Sequence, residues 1–341
     1  MPLGSESLGV VIAGAASLRG KDLKQCLDES GFPAGKIRLI DEEFAAGTIT
    51  EVAGEPAVIQ SVDESSFEHM RFAFFAGSSA FAGKYGPAAE LSGATVIDLT
   101  GGLAASPGAR PWIPRLDSLF PPPATPQKTG GRSQLCIAPS TPAIVACSFS
   151  GALAKFSPIR LVLVFLQPVS ERGAAGVEEL EAQTGKLLSL QPMPQEVFDT
   201  QVAFNLLDRW GADSSARLSD VRAALAREVH AYLAGRAVLP AMTLVQAPVF
   251  YSHAFAAYAE FSAPQDPALL AAQLAAAGFV VPADDDPPPS NITVAGEASP
   301  AIGPAQRDPN IDCGYWFWGA ADNLRVATAN ATRVAEVLLA S

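Results

Sequence analysis

The chain has 341 residues, 49% of them apolar, and carries 35 acidic against 23 basic side chains for a net charge of −12. That is enough chain and enough apolar surface for two domains, each with its own core. The charge argues against nucleic acid and anionic membrane as partners, since both attract basic surfaces, and any anionic ligand would need its own Arg or Lys cluster.

Residues 1–16 are apolar and Gly-rich without a basic leader, and no apolar stretch reaches membrane-spanning length, so a cytoplasmic location is expected. Short apolar runs at 9–13, 37–40, 71–75 and 94–99 alternate with helical patterns. Their continuous apolar character predicts parallel strands buried on both faces. A loop is expected over 120–132, rich in Pro and Gly. A further strand over 134–138 leads into Thr141-Pro142, which predicts a helix over 142–156 with Thr141 as N-cap and Pro at the first position. Beyond it the pattern predicts a strand over 160–169, helices over 173–188 and 219–233, and paired strands over 242–249 and 253–261 in a mostly antiparallel sheet. A second loop is expected over 282–308, and a closing helix over 323–340.

The four cysteines, Cys26, Cys136, Cys147 and Cys313, are scattered, and only three histidines accompany them. No disulfide or metal framework is expected. His69 and His230 lack carboxylate or Cys companions at useful spacing and are expected at the surface.

Four segments stand out. Residues 137–144 read Ile-Ala-Pro-Ser-Thr-Pro-Ala-Ile; Phe165-Leu-Gln-Pro-Val-Ser170 is followed by Gly173 and Gly176; then come Pro248-Val-Phe-Tyr-Ser-His253 and Trp318-Gly-Ala-Ala-Asp-Asn-Leu-Arg325. In this order they resemble the aspartate-semialdehyde dehydrogenase family, whose corresponding segments are Ser-Asn-Pro-Asn-Cys-Thr-Thr, Tyr-Gln-Ala-Val-Ser-Gly-Ala-Gly, Val-Pro-Val-x-x-Gly-His and Asp-Asn-Leu. Ala203-Phe-Asn-Leu206 and Gln246-Ala-Pro-Val-Phe-Tyr251 look most like the Usg-type paralogues, which also lack the Cys.

The resemblance implies a Rossmann-type domain over 1–138 and 323–341, and an inserted α/β dimerisation domain over 139–322, hence a homodimer. The family reaction is NADP-dependent reductive dephosphorylation of aspartyl phosphate in amino-acid biosynthesis: a thiolate displaces phosphate, the thioester accepts hydride, and a His shuttles protons. His253 matches that His, Gln167 the Gln that orients the reacting carbonyl, and Glu228 the acid that receives the substrate amino group. A hydrogen-bonded structural role for His253 stays open beside the catalytic one.

Three positions depart from the family. Thr141 stands where the family has its nucleophilic Cys, and a Thr hydroxyl has essentially no ionised form near neutral pH. Ala104 replaces the Arg that holds phosphate, and Gln246 the Arg that pairs with the substrate carboxylate; losing both removes at least about 3 to 6 kcal/mol of substrate binding. Cys147 is an alternative nucleophile, though a helical Cys is more often a core residue, and Cys136 is a weaker one.

The cofactor residues implied are Gly14, Ser17 and Gly20 in the turn Gly14-Ala-Ala-Ser-Leu-Arg-Gly20, with Gly173 and Asn323. Ser17 replaces the middle Gly, so a pyrophosphate turn and a plain strand-to-helix turn both remain open. Asp41-Glu42-Glu43 follows the second strand and would repel the 2′-phosphate of NADP, so NAD is favoured if a dinucleotide binds, with a solvated acidic loop as the alternative. The expectation is a family member without the family activity, binding a small molecule or a partner. The rivals are an active NAD(P)-dependent oxidoreductase on another aldehyde or acyl substrate, and a structural subunit of a true dehydrogenase.

Overall fold

The computed structural model describes residues 8–52, 54–63, 65–120, 134–283 and 285–340, so the loop expected over 120–132 lies outside the described residues apart from Phe120. In chain order the elements are β1 (Leu8–Ala13), α1 (Leu18–Glu29), β2 (Ala34–Asp41), β3 (Ile49–Val52), β4 (Glu55–Val58), β5 (Gln60–Ser61), β6 (Phe72–Phe75), α2 (Ser79–Leu91), β7 (Thr95–Asp98), β8 (Arg110–Pro111) and β9 (Leu135–Ile137). There follow α3 (Thr141–Leu153), β10 (Arg160–Gln167), α4 (Gly173–Leu188), α5 (Leu218–Leu233), β11 (Ala241–Gln246), β12 (His253–Glu260), α6 (Pro267–Ala276), β13 (Ala301–Ile302), β14 (Gln306–Arg307), β15 (Gly314–Ala321) and α7 (Arg325–Ala340). They form two compact units: Met1–Pro114, Pro122–Pro139 and Ala327–Ser341 in the first, Arg115–Pro121 and Ser140–Val326 in the second.

The first unit is built on a seven-stranded sheet of order β5-β2-β1-β6-β7-β9-β8, every pairing of which is parallel. Its apolar strands show why alternation is missing from the sequence. On β6, Phe72 and Phe74 join Ile12, Leu23, Leu27 and the α7 residues Ala331, Val334 and Ala335 on one face. Ala73 and Phe75 join Val11, Val96, Phe81 and Ala89 on the other. Helices cover both faces, so each position of β6 is buried, and each Phe contributes on the order of 1.5–3 kcal/mol. Ser17 and Ser78 cap α1 and α2, their hydroxyls accepting the N–H of Gly20 and Phe81.

The second unit carries a six-stranded sheet of order β11-β10-β12-β15-β13, with β14 on β15. The strands expected to pair, here β11 and β12, do not: β10 lies between them, parallel to β11 and antiparallel to β12. The rest of the sheet is antiparallel. A hairpin is ruled out because residues 247–252 do not reverse the chain onto its neighbour; Ala247 instead bonds to Gln167, at the end of β10. The segment 282–308 is mostly loop but contributes β13 and β14 to the edge. Along β10 burial alternates strictly: Leu161, Leu163, Phe165 and Gln167 are buried, Val162, Val164 and Leu166 only half-buried. The buried face meets α3, all of whose residues are buried, with Phe149 edge-on to Phe317 at 5.4 Å.

Candidate functional site

Strand register assembles the polar end of the second unit's sheet. Gln167 closes β10 and pairs with Gln246, which closes β11. Leu166 pairs with Ala254, which brings His253 at the start of β12 beside Gln167 on the same buried face. Side chains alternate along a strand, so three residues far apart in sequence emerge side by side at three adjacent strand ends.

Gln246, at the position of the substrate-carboxylate Arg, is fully buried. Its amide donates to the carbonyls of Gln167 (3.0 Å) and Ala247 (3.1 Å). Its oxygen accepts from Trp210 Nε1 (3.2 Å) and Gln167 Nε2 (3.4 Å). Two donations and two acceptances complete what a Gln amide can make, so Gln246 offers no bond to a ligand in this arrangement.

The start of α3 corrects the role expected for Thr141. Ser140, with φ −61° and ψ 156°, is the N-cap, so Thr141 and Pro142 are the first and second helical residues. Ser140 does not cap with its own side chain; its N–H and hydroxyl both bond to one oxygen of Glu228, at 2.9 and 2.6 Å. Glu228, expected to receive a substrate amine, holds the helix entry. Thr141 is 2% exposed, and its hydroxyl donates to the carbonyl oxygen of Asn323 at 3.0 Å. Six residues on, Cys147 is fully buried, and burial followed by the nearby Glu228 charge pushes its thiol well above the usual range. Cys136 is pushed up to about 11, chiefly by burial. Burial thus favours the neutral thiol at both positions, which weighs against either as a stand-in nucleophile.

A group not anticipated from the sequence completes this cluster. Glu171 places Oε1 3.2 Å from His253 Nε2 and 3.2 Å from Asn323 Nδ2. Asn323 Oδ1 accepts from the Ser252 N–H at 2.9 Å and the Ser170 hydroxyl at 3.3 Å. Ser252 sits at φ 68°, the left-handed region, where the family segment has Gly. The backbone there is pinned by Asn323 on one side and by Asn291, which donates to the Ser252 carbonyl, on the other. The sequence signal for Glu171 is the mismatch itself: a carboxylate where the family segment Val-Ser-Gly has its Gly. Gly173, expected at the cofactor, adopts φ 73° between a short 3-10 turn and α4, which accounts for Gly by conformation alone. His69 and His230 are exposed, as expected.

In the first unit the turn after β1 holds Gly14, Ser17, Gly20 and Asp41 together. Gly14 has φ 92°, and a Cβ there would lie 2.2 Å from the Gly77 nitrogen; one on Gly20 would lie 2.2 Å from the Gly14 oxygen. The loop after β6 leaves no room for a side chain at Gly14, and the turn itself leaves none at Gly20. Asp41 turns its carboxylate onto the turn, accepting the N–H of Ala16 at 2.7 Å and of Glu42 at 2.8 Å. Gly14 and Ala15 donate to Ile40 O, Ser17 N–H to Gly14 O, and Gly20 N–H to the Ser17 hydroxyl. These donors are therefore engaged within the chain, and a phosphate taking the Ala16 N–H would compete with Asp41 for it. Beside it opens a cavity of about 520 Å³ lined by Asp41, Glu42, Glu43, Phe81, Lys84 and Tyr85 among others. Its carboxylates and aromatic ring suit a nucleoside with a free ribose diol. Ala104 is exposed in the loop after β7 of this unit. Among the described residues no group of three or more His, Cys, Asp or Glu could hold a metal, and no helix is long and apolar enough to cross a membrane.

Two family descriptions match this chain: semialdehyde dehydrogenase, NAD binding domain, over residues 9–120, and semialdehyde dehydrogenase, dimerisation domain, over residues 151–326. The chain belongs to the semialdehyde dehydrogenase family. A USG-1 protein homolog of Azotobacter vinelandii is 28% identical over 341 residues, covering 98% of each chain. Aspartate-semialdehyde dehydrogenase 2 of Vibrio cholerae is 27% identical over 348 residues, again with 98% of each covered. The structure of a probable aspartate-semialdehyde dehydrogenase from Pseudomonas aeruginosa superposes with a TM-score of 0.83 at 28% identity, over 98% of this chain and 99% of that one. Semialdehyde dehydrogenases as a family thus account for both units, each with its own domain description.

Proposed function

We propose that this semialdehyde dehydrogenase homologue no longer reduces or dephosphorylates aspartyl phosphate and acts instead as a dimeric binding protein. The observation that carries this reading is the state of Thr141. A hydroxyl nucleophile needs a base to take its proton, and the Thr141 proton is directed at the carbonyl oxygen of Asn323, which is no base. Loss of a nucleophile in a well-studied protease costs on the order of 10⁶ in kcat. Gln246, closed on Gln167 and Trp210, adds no anion affinity, and neither does Ala104. For the nucleotide, Asp41, Glu42 and Glu43 support NAD over NADP, because an extra dianionic phosphate beside three carboxylates is repelled.

The test is reduction of NAD and NADP by aspartate semialdehyde in the presence of phosphate, with calorimetric titration of both nucleotides in parallel. No turnover is expected from the unmodified protein, and any nucleotide binding should be weaker for NADP than for NAD. Appreciable turnover would overturn the reading; preferential binding of NADP would overturn the nucleotide assignment alone. The variant Thr141→Cys with Ala104→Arg, assayed likewise, asks whether the lost groups suffice to explain the silence.

A further inference from the structure

The imidazole of His253 is 1% exposed and held between two different environments. Nε2 faces Glu171 Oε1 at 3.2 Å, whereas buried Nδ1 has no hydrogen-bond partner. The orientation of Asn323 is fixed independently: the Ser252 backbone N–H can only donate, so the atom it meets is Oδ1, and Nδ2 therefore faces Glu171. Glu171 Oε1 thus already receives one N–H, and a carboxylate oxygen beside a ring nitrogen is favourable only if that nitrogen carries a hydrogen.

We propose that Glu171 is a positioning residue that fixes neutral His253 as the Nε2–H tautomer. The lone pair is thereby left on buried Nδ1, and an anion is refused at the Nε2 edge. Two features reinforce this. A buried acceptor without a partner carries an unfavourable desolvation term, which a donor group would relieve. The carboxylate, with its side chain 22% exposed, stands where an anion approaching Nε2 would have to come, and like charges at contact distance repel. The assignment holds with or without turnover, so it fails or survives separately from the loss of the family reaction.

Two-bond proton–nitrogen correlation spectra of the full-length 15N-labelled protein decide it, with the three histidines assigned through His69→Gln and His230→Gln. The wild-type spectrum should show a protonated-type Nε2 and a pyridine-type Nδ1 for His253. Glu171→Gln, which keeps an acceptor oxygen, should preserve the pattern, and Glu171→Ala should mix the two tautomers. Inorganic phosphate added to the wild type should leave the His253 ring signals in place. A wild-type ring protonated on Nδ1 would overturn the proposal, as would an unchanged pattern in Glu171→Ala or a phosphate-induced shift of the ring nitrogens. Should Glu171→Ala fail to fold, the wild-type and Glu171→Gln spectra decide it.

Discussion

At the level of single side chains, Thr141 is a donor whose partner is known, and that makes its contribution measurable. Replacing it by Val keeps the shape but strands the Asn323 carbonyl in a buried place, whereas Ser keeps the hydroxyl. We expect Thr141→Val to lower the urea-unfolding free energy by about 1–3 kcal/mol, and Thr141→Ser to lie within about 1 kcal/mol of wild type, since it loses one methyl group. A loss for Thr141→Ser and none for Thr141→Val would show that the methyl and not the bond matters. The residue's identity was legible in the sequence as a departure from the Cys of the family, but its job was not. Thr before Pro reads as a cap, and only backbone angles reveal that the helix begins one residue earlier, with Ser140 drawn to Glu228 from eighty-eight positions away. Long-range hydrogen bonds of this kind leave no local trace.

At the level of elements, α3 is buried from end to end, and this sets the chemistry of its thiol. Alkylation of the native protein should modify Cys313, the one half-exposed cysteine of the four, while Cys26, Cys136 and Cys147 react only at the rate of opening. Fast labelling of Cys147 would show a reachable nucleophile and revive the active-enzyme alternative. Strand identity was readable from apolar runs, yet strand order was not. The segments β11 and β12 are adjacent in sequence and were expected as partners, but β10 intervenes because parallel and antiparallel neighbours can share one strand. The β15 segment, with Tyr315 and Phe317 inward and Trp316 and Trp318 outward, and the capped helix α6 are absent from the sequence-based expectations although each carries a local signal.

At the level of the whole molecule, the second unit's sheet presents an apolar face opposite α3. Val162 and Val164 of β10, Val245 of β11 and Ala256 of β12 are half-buried there, and Trp316 and Trp318 are 44% and 42% exposed. A contiguous apolar patch of this kind fits an interface between copies, in a unit that matches a dimerisation domain. Sedimentation equilibrium should therefore report a homodimer, and Trp316→Glu with Trp318→Glu a folded monomer. A dimer that survives both changes would place the interface elsewhere.

The Asp41 carboxylate on the Ala16 N–H has a consequence for any nucleotide that this chain meets. A phosphate approaching the turn competes with an anion that is part of the same chain, whose effective concentration is set by the fold and not by supply. Asp41 thereby handicaps ligands in proportion to how much they rely on that turn. A nucleoside that fills only the neighbouring cavity would escape that competition.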